Sequence, residues 1–117
     1  MHALGVIRHA VHEHFCDLSP DEEPSVHDGH FLVVVLDGGQ LSDAFAEYCE
    51  RRVLRLSDKA EFQIAMVAAA DFPRLSNRAP EFPALYHFSF GKERKRAYGL
   101  DDCLDFLREF ILNNKRQ

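Results

Sequence analysis

The sequence predicts an α/β domain, a mixed sheet of about four strands built as βαβ and then ββα, flanked by helices and preceded by an extra N-terminal helix. Three observations carry this expectation. Phe31 to Leu36 (FLVVVL) is a continuous apolar run of strand length, the pattern of a strand buried on both faces. Leu41, Phe45, Tyr48, Cys49, Val53 and Leu56 then recur at helical spacing before a second apolar run, and such a crossover joins two parallel strands right-handedly. Leu85 to Phe90 alternates large apolar residues with polar or amphipathic ones, the period of a strand with one face on a core. A turn and a second short strand after it make an antiparallel hairpin, so the sheet is mixed.

Composition sets the outer bounds. A chain of 117 residues with 46% hydrophobic and 28% charged residues suits one globular domain. Residues 1–117 are therefore read as a single domain, with 1–16 an N-terminal helix, 17–30 an acidic loop and 31–112 the core. A net charge of -5 argues against a general nucleic-acid binder, which carries a basic surplus. No apolar run approaches the roughly 20 residues that span a bilayer, so no membrane partner is expected. Histidines interrupt the first residues and leave no apolar stretch of signal-peptide type, which points to the cytoplasm.

Taken in order, Leu4, Ile7, Val11 and Phe15 trace the stripe of an amphipathic helix over 3–16. Asp17 to His30 is polar, holds two prolines and a glycine, and reads as a loop. Asp37-Gly38-Gly39-Gln40 breaks the first strand, and Ser42 or Asp43 stands near the next helix start for capping or dipole complementarity. Phe62, Ile64, Met66 and Val67 mark a second buried strand, and Asp71 to Arg78 a turn or short helix. Proline cannot donate to a ladder, so Pro83 belongs at the start of the third strand or on an edge. Gly91-Lys92-Glu93 reads as the hairpin turn and Arg94 to Tyr98 as the fourth strand. Leu100, Cys103, Leu104, Leu107, Phe110 and Ile111 line a closing helix with Asp101 and Asp102 at its positive end, and Asn113 to Gln117 should fray.

This order resembles the thioredoxin fold over about Phe31 to Ile111. Its most specific parts are Phe82-Pro83-Ala84-Leu85, similar to the family's cis-proline segment, and the even spacing of Pro83, Gly91 and Gly99. In that family a redox CxxC opens the helix after the central strand; the best match puts Gln40 and Asp43 where those cysteines would stand. Gly39 replaces the tryptophan before the motif, and the buried strand aspartate falls on Val34. Dithiol exchange needs a thiolate to attack a disulfide sulfur, so that chemistry is not expected at 40–43. The chain thus resembles a non-redox member lacking CxxC, and the accessory chaperones of hydrogenase maturation are similar in that respect. Fold alone does not carry an activity.

The first candidate site is the surface of Gly38, Gly39, Gln40 and Asp43 beside Phe82 and Pro83. The resemblance implies a cis bond at Pro83 and an exposed backbone edge that pairs with an extended peptide, so the expected partner is a protein or peptide bound in a chaperone-like or adaptor-like role. Two adjacent glycines would let a partner's backbone approach; equally, they would serve a plain strand-to-helix turn. The second candidate is histidine, of which there are seven. His9 and Glu13, and His9 and His12, share a helix face with His2 two turns earlier, while His14 falls towards the apolar stripe. Nothing secures the four ligands of a structural zinc, so no metal and no cofactor is expected. Third, Lys92-Glu93-Arg94-Lys95-Arg96 could hold an acidic partner but equally blunts an edge strand.

Last come Cys16, Cys49 and Cys103, which form no CxxC. Packing is the plainer use of all three, but a helix N-terminus can lower a thiol's pKa. The alternative reading is accordingly a monothiol oxidoreductase working through Cys103 or Cys16. Asp37, at a strand's carboxyl end, could act as acid or base but shows no partner in sequence. A homodimer joined through an edge strand or the first helix is a further expectation.

Overall fold

The computed structural model describes residues 14–26, 29–56 and 62–115. The apolar run at its centre forms β1 (His30–Leu36), whose five inner residues are all buried. It is followed by α1 (Gln40–Leu54), β2 (Phe62–Ala68), the single-turn helix α2 (Pro73–Ser76), β3 (Ala84–Ser89), β4 (Lys92–Tyr98) and α3 (Leu100–Lys115). The strands are ordered β2-β1-β3-β4. β1 runs parallel to β2, with Leu32 opposite Ile64, and antiparallel to β3, with Val34 opposite Leu85. β3 and β4 are antiparallel. The expected mixed four-stranded sheet flanked by helices is therefore present.

Alternation along β1 divides the core in two, since successive side chains in a strand point to opposite faces. Leu32 and Val34 join Ile64, Leu85 and Ala97 against Phe45, Cys49 and Val53 of α1 and Cys103, Leu107 and Ile111 of α3. Phe31, Val33 and Val35 join Ala65, Val67, Ala84, Tyr86 and Phe88 on the other face, under Leu18, Phe72 and Leu75. One face thus carries two long helices. The other carries the irregular segment around Leu18, a 3-10 turn at Ala69–Asp71, and α2.

The structure corrects several boundaries. Residues 14–16 do not finish a helix: Phe15 makes a parallel bridge to Ile64, with Ile64 N–H donating to His14 C=O at 2.7 Å and Cys16 N–H to Ile64 C=O at 3.0 Å. This main-chain pairing outweighs the helical spacing of Phe15; residues 1–13 of the expected helix lie outside those described. Within the acidic loop, Leu18 is buried and Pro24–Val26 forms a 3-10 turn. The hairpin turns at Phe90-Gly91 rather than at Gly91-Lys92-Glu93, because these two residues hold φ of 52° and 82°. Two consecutive positive φ values suit the twist of a two-residue hairpin. β4 consequently gains Lys92 and Glu93, and α3 extends to Lys115 where fraying was expected from Asn113.

Candidate functional site: the corner between β1 and β3

Val35 lies opposite Ala84, so the chain leaving β1 and the chain entering β3 run side by side past the end of the sheet. That register directs the turn at Asp37-Gly38-Gly39 and the segment Phe82-Pro83 to the same end of the sheet. The Phe82–Pro83 bond is cis, as the resemblance implied. The Pro83 C=O accepts the Gly99 N–H at 2.8 Å and the Cys103 thiol at 3.3 Å, which fixes it to the start of α3. Among the described residues, neither the N–H nor the C=O of Phe82 has a hydrogen-bond partner. Its main-chain donor and acceptor form a short unpaired edge at the half-buried Phe82.

The facing wall is braced from within. The Asp37 carboxylate accepts the Ser42 hydroxyl at 2.7 Å and the Gly39 N–H at 2.9 Å, while Asp37 N–H donates to Ser42 Oγ at 3.2 Å. Gly38, at φ 85°, makes the left-handed bend this loop needs. The hydrogen bonds from Ser42 and then Gly39 hold the Asp37 carboxyl below its usual range. Asp37 therefore acts as an ionised brace, with the partner that was not evident in sequence. The expected side-chain cap is also corrected: Gly39 is the N-cap residue, it makes no side-chain cap, and Ser42 is buried against Asp37 instead. Gln40 and Asp43 are both exposed, and Leu41 between them is 54% exposed.

A shallow groove of about 360 Å³ continues from this corner, lined by Leu41, Glu81, Tyr98, Gly99, Leu100, Asp101 and Asp102. Gly99 sits at φ 86° with the Glu81 carboxylate over it, where an added Cβ would come within 2.5 Å of Glu81 Oε1. The groove and the Gln40 to Asp43 turn contain no sulfur.

The cysteines lie elsewhere, and each thiol is raised above its ordinary pKa. Burial is the main cause in each case. It raises Cys16 to about 11 with help from Asp17 and Glu22, and Cys103 to about 12 with help from Asp102 and Glu81. The lowering expected from the α3 N-terminus is overridden at Cys103, whose thiol donates to Pro83 and Ala97 carbonyls. Cys49 is fully buried, and that burial raises its thiol well above the ordinary value. All three are free thiols.

His2, His9, His12 and Glu13 lie outside the described residues. His14 is buried, its Nδ1 3.0 Å from the Phe62 C=O and its ring stacked on Phe62. Among the described residues no cluster of three or more metal-ligating side chains occurs. Two features escaped sequence reasoning. His30 Nδ1 and His87 Nε2 stand 3.1 Å apart beside Phe110, brought together by the β1–β3 register although 57 residues separate them. Burial, then His30 and the Lys95 and Arg94 charges, pull His87 down to about 4. On the opposite face a cleft of about 510 Å³ lies over Phe72, Leu75 and Phe88. Two ion pairs stand on its rim, Arg78 to Glu93 at 2.7 Å and Arg74 to Glu23.

The basic stretch Lys92 to Arg96 lies along β4, the outer strand. His87 faces Lys95 and Phe88 faces Glu93, which leaves Arg94 as a bulged extra residue. A bulge with charges on an outer strand discourages edge-to-edge pairing, the plainer of the two uses foreseen for these residues.

The fold matches a known scaffold. Thioredoxin f from spinach chloroplast (short form) superposes with a TM-score of 0.64 at 12% identity, over 86% of this chain and 93% of that one. The fold is thioredoxin-like. A point-mutant thioredoxin from Halobacterium salinarum NRC-1 gives 0.64 at 13% identity over 88% of this chain and 92% of its own. Fasciola hepatica thioredoxin gives 0.59 at 19% over 74% and 82%. By sequence, no family model and no curated protein matches. On this thioredoxin-like scaffold Gln40, Leu41, Ser42 and Asp43 occupy the first turn of the helix after the central strand.

Proposed function

We propose that this chain is a non-catalytic thioredoxin-like protein that binds an extended segment of a partner protein or peptide at the corner of Gly38, Gly39, Gln40, Asp43, Phe82 and Pro83, as an adaptor or chaperone. The observation that carries this reading is the open main-chain edge of Phe82 beside a glycine corner braced by Asp37 and Ser42. An added strand would gain affinity from main-chain pairing at Phe82, with modest sequence preference from the side chains around it. Gly38 and Gly39 leave room for its backbone, while Gln40 and Asp43 offer polar contacts. The working compartment proposed is the cytoplasm.

The monothiol alternative has less support, because burial raises the pKa of both Cys16 and Cys103, whereas a reactive thiol needs it lowered. Affinity capture with the native chain and with a Phe82→Ala, Gln40→Ala double variant tests the reading. Partners recovered by the native chain should be lost with the variant. Equal recovery by both would rule the corner out, and one fast-reacting thiol at neutral pH would restore the oxidoreductase reading.

A further inference from the structure

We propose that the segment held at the Phe82 edge is cationic, an extended stretch in which lysine or arginine flanks an apolar residue. The proposal rests on the peptide-binding reading of that corner and adds the chemistry of the occupant. The groove that continues from the edge presents three carboxylates, Glu81, Asp101 and Asp102, and no cation. Asp43 is exposed in the first turn of α1 next to Leu41, which itself lines the groove.

Acids elsewhere on the surface are paired only in part, since Asp21, Glu47, Asp71 and Glu109 also form no ion pair among the described residues. Glu23 pairs with Arg74, Glu93 with Arg78 and Arg96, and Asp105 with Arg108. Glu81, Asp101, Asp102 and Asp43 form no ion pair among the described residues. Asp101 and Asp102 complement the positive end of α3, which accounts for their presence without a partner. Glu81 comes from the segment before Phe82, one residue from the open edge, and its carboxylate lies over Gly99 beside the same helix end, so the groove gathers all three acids there.

A single-sign groove concentrates opposite charge and steers its approach, with a strength that falls as salt rises. Side chains of an added strand alternate in direction, so pairing at Phe82 would turn alternate residues towards the groove. Cationic side chains would meet the carboxylates there. The exposed Leu41 at the mouth offers apolar surface to a residue between them.

The test uses the full chain, isotope-labelled, titrated with a hexapeptide alternating lysine and valine and followed through its backbone amide resonances. Control peptides carry serine or glutamate in place of lysine, or N-methyl groups that block main-chain pairing. The lysine peptide should shift the Phe82, Gly38 and Gly39 amides and bind more tightly than the serine peptide, and the glutamate peptide should not bind. Glu81→Gln and Asp101→Asn, each checked for an unchanged fold, should weaken it by about two- to fivefold apiece, the reach of an exposed charge pair. Equal affinity for the lysine and serine peptides at those amides would overturn the charge preference and leave the peptide-binding reading standing. If no peptide moves those amides, the reading fails and this inference with it. Undiminished binding of the N-methylated lysine peptide would mean mere charge adhesion and sink the proposal. So would self-association of the protein alone that Glu81→Gln abolishes, since the occupant would then be a second copy.

Discussion

The two faces of the sheet are covered by different means. On one, α1 and α3 lay apolar side chains over β1 and β3, and burial alone suffices: Phe45, Cys49, Val53 and Leu107 are fully shielded. On the other, the cover is a loop, a 3-10 turn and a single helical turn, which cannot present a continuous apolar stripe. Polar ties fasten it instead. The buried Tyr86 hydroxyl donates to the Leu75 C=O at 2.7 Å, and Arg78 lies 5.0 Å above the Tyr86 ring while its guanidinium grips Glu93 through two bonds. Regular helices cover a sheet by area, whereas irregular chain must also be pinned at points.

The contrast can be broken by truncation. Leu107→Ala should cost about 3–4 kcal/mol, since two packed helices cannot close the hole, and Leu75→Ala only about 2 kcal/mol, because a single-turn helix can settle inward. Urea unfolding of both variants decides it; equal losses would mean that both covers are equally rigid. The next effect comes from the His30–His87 imidazole pair on the helical face. His87 falls from 6.5 in the unfolded chain to about 4 when folded, so the unfolded state takes up the proton first. The contribution of His87 is full above pH 6.5, declines as pH drops towards 4 and changes no further below it. Allowing for partial exposure, the loss is about 1–2 kcal/mol, and His87→Gln should flatten that stretch of the stability profile.

Smaller effects probe the pins. Tyr86→Phe removes the donor to Leu75 and should cost about 1 kcal/mol with little change in shape. Glu93→Gln should cost no more than about 0.5 kcal/mol, as expected of a surface pair, and less at high salt. If Glu93→Gln proved as damaging as Tyr86→Phe, the rim pairs would be holding the cover rather than trimming it.

Most of this architecture was legible because it is written in local periods. The continuous run of β1, the helical stripes of α1 and α3, and the glycines at 91 and 99 each signal one element without reference to any other. The junction of Gly38-Gly39 with Phe82-Pro83 was reachable only through resemblance, since no periodicity links residues so far apart. Three features lay beyond reach for the same reason. Phe15 pairs with Ile64 for a single bridge, too short to disturb a helical stripe. Ser42 turns back to Asp37 across a strand-to-helix junction that neither element's period describes. His30 meets His87 only once the register of β1 on β3 is set. The free Phe82 peptide belongs with them, because an unmatched donor and acceptor show only after all others have been matched.

The brace between Asp37 and Ser42 has one more consequence. Carboxylate and hydroxyl oxygens are indifferent to reductants and oxidants, so the turn they support keeps one shape in any redox climate. A partner bound as proposed could not be let go by changing the oxidation state of the turn, and its dissociation would have to be driven by competition, ionic strength or a change in the partner itself.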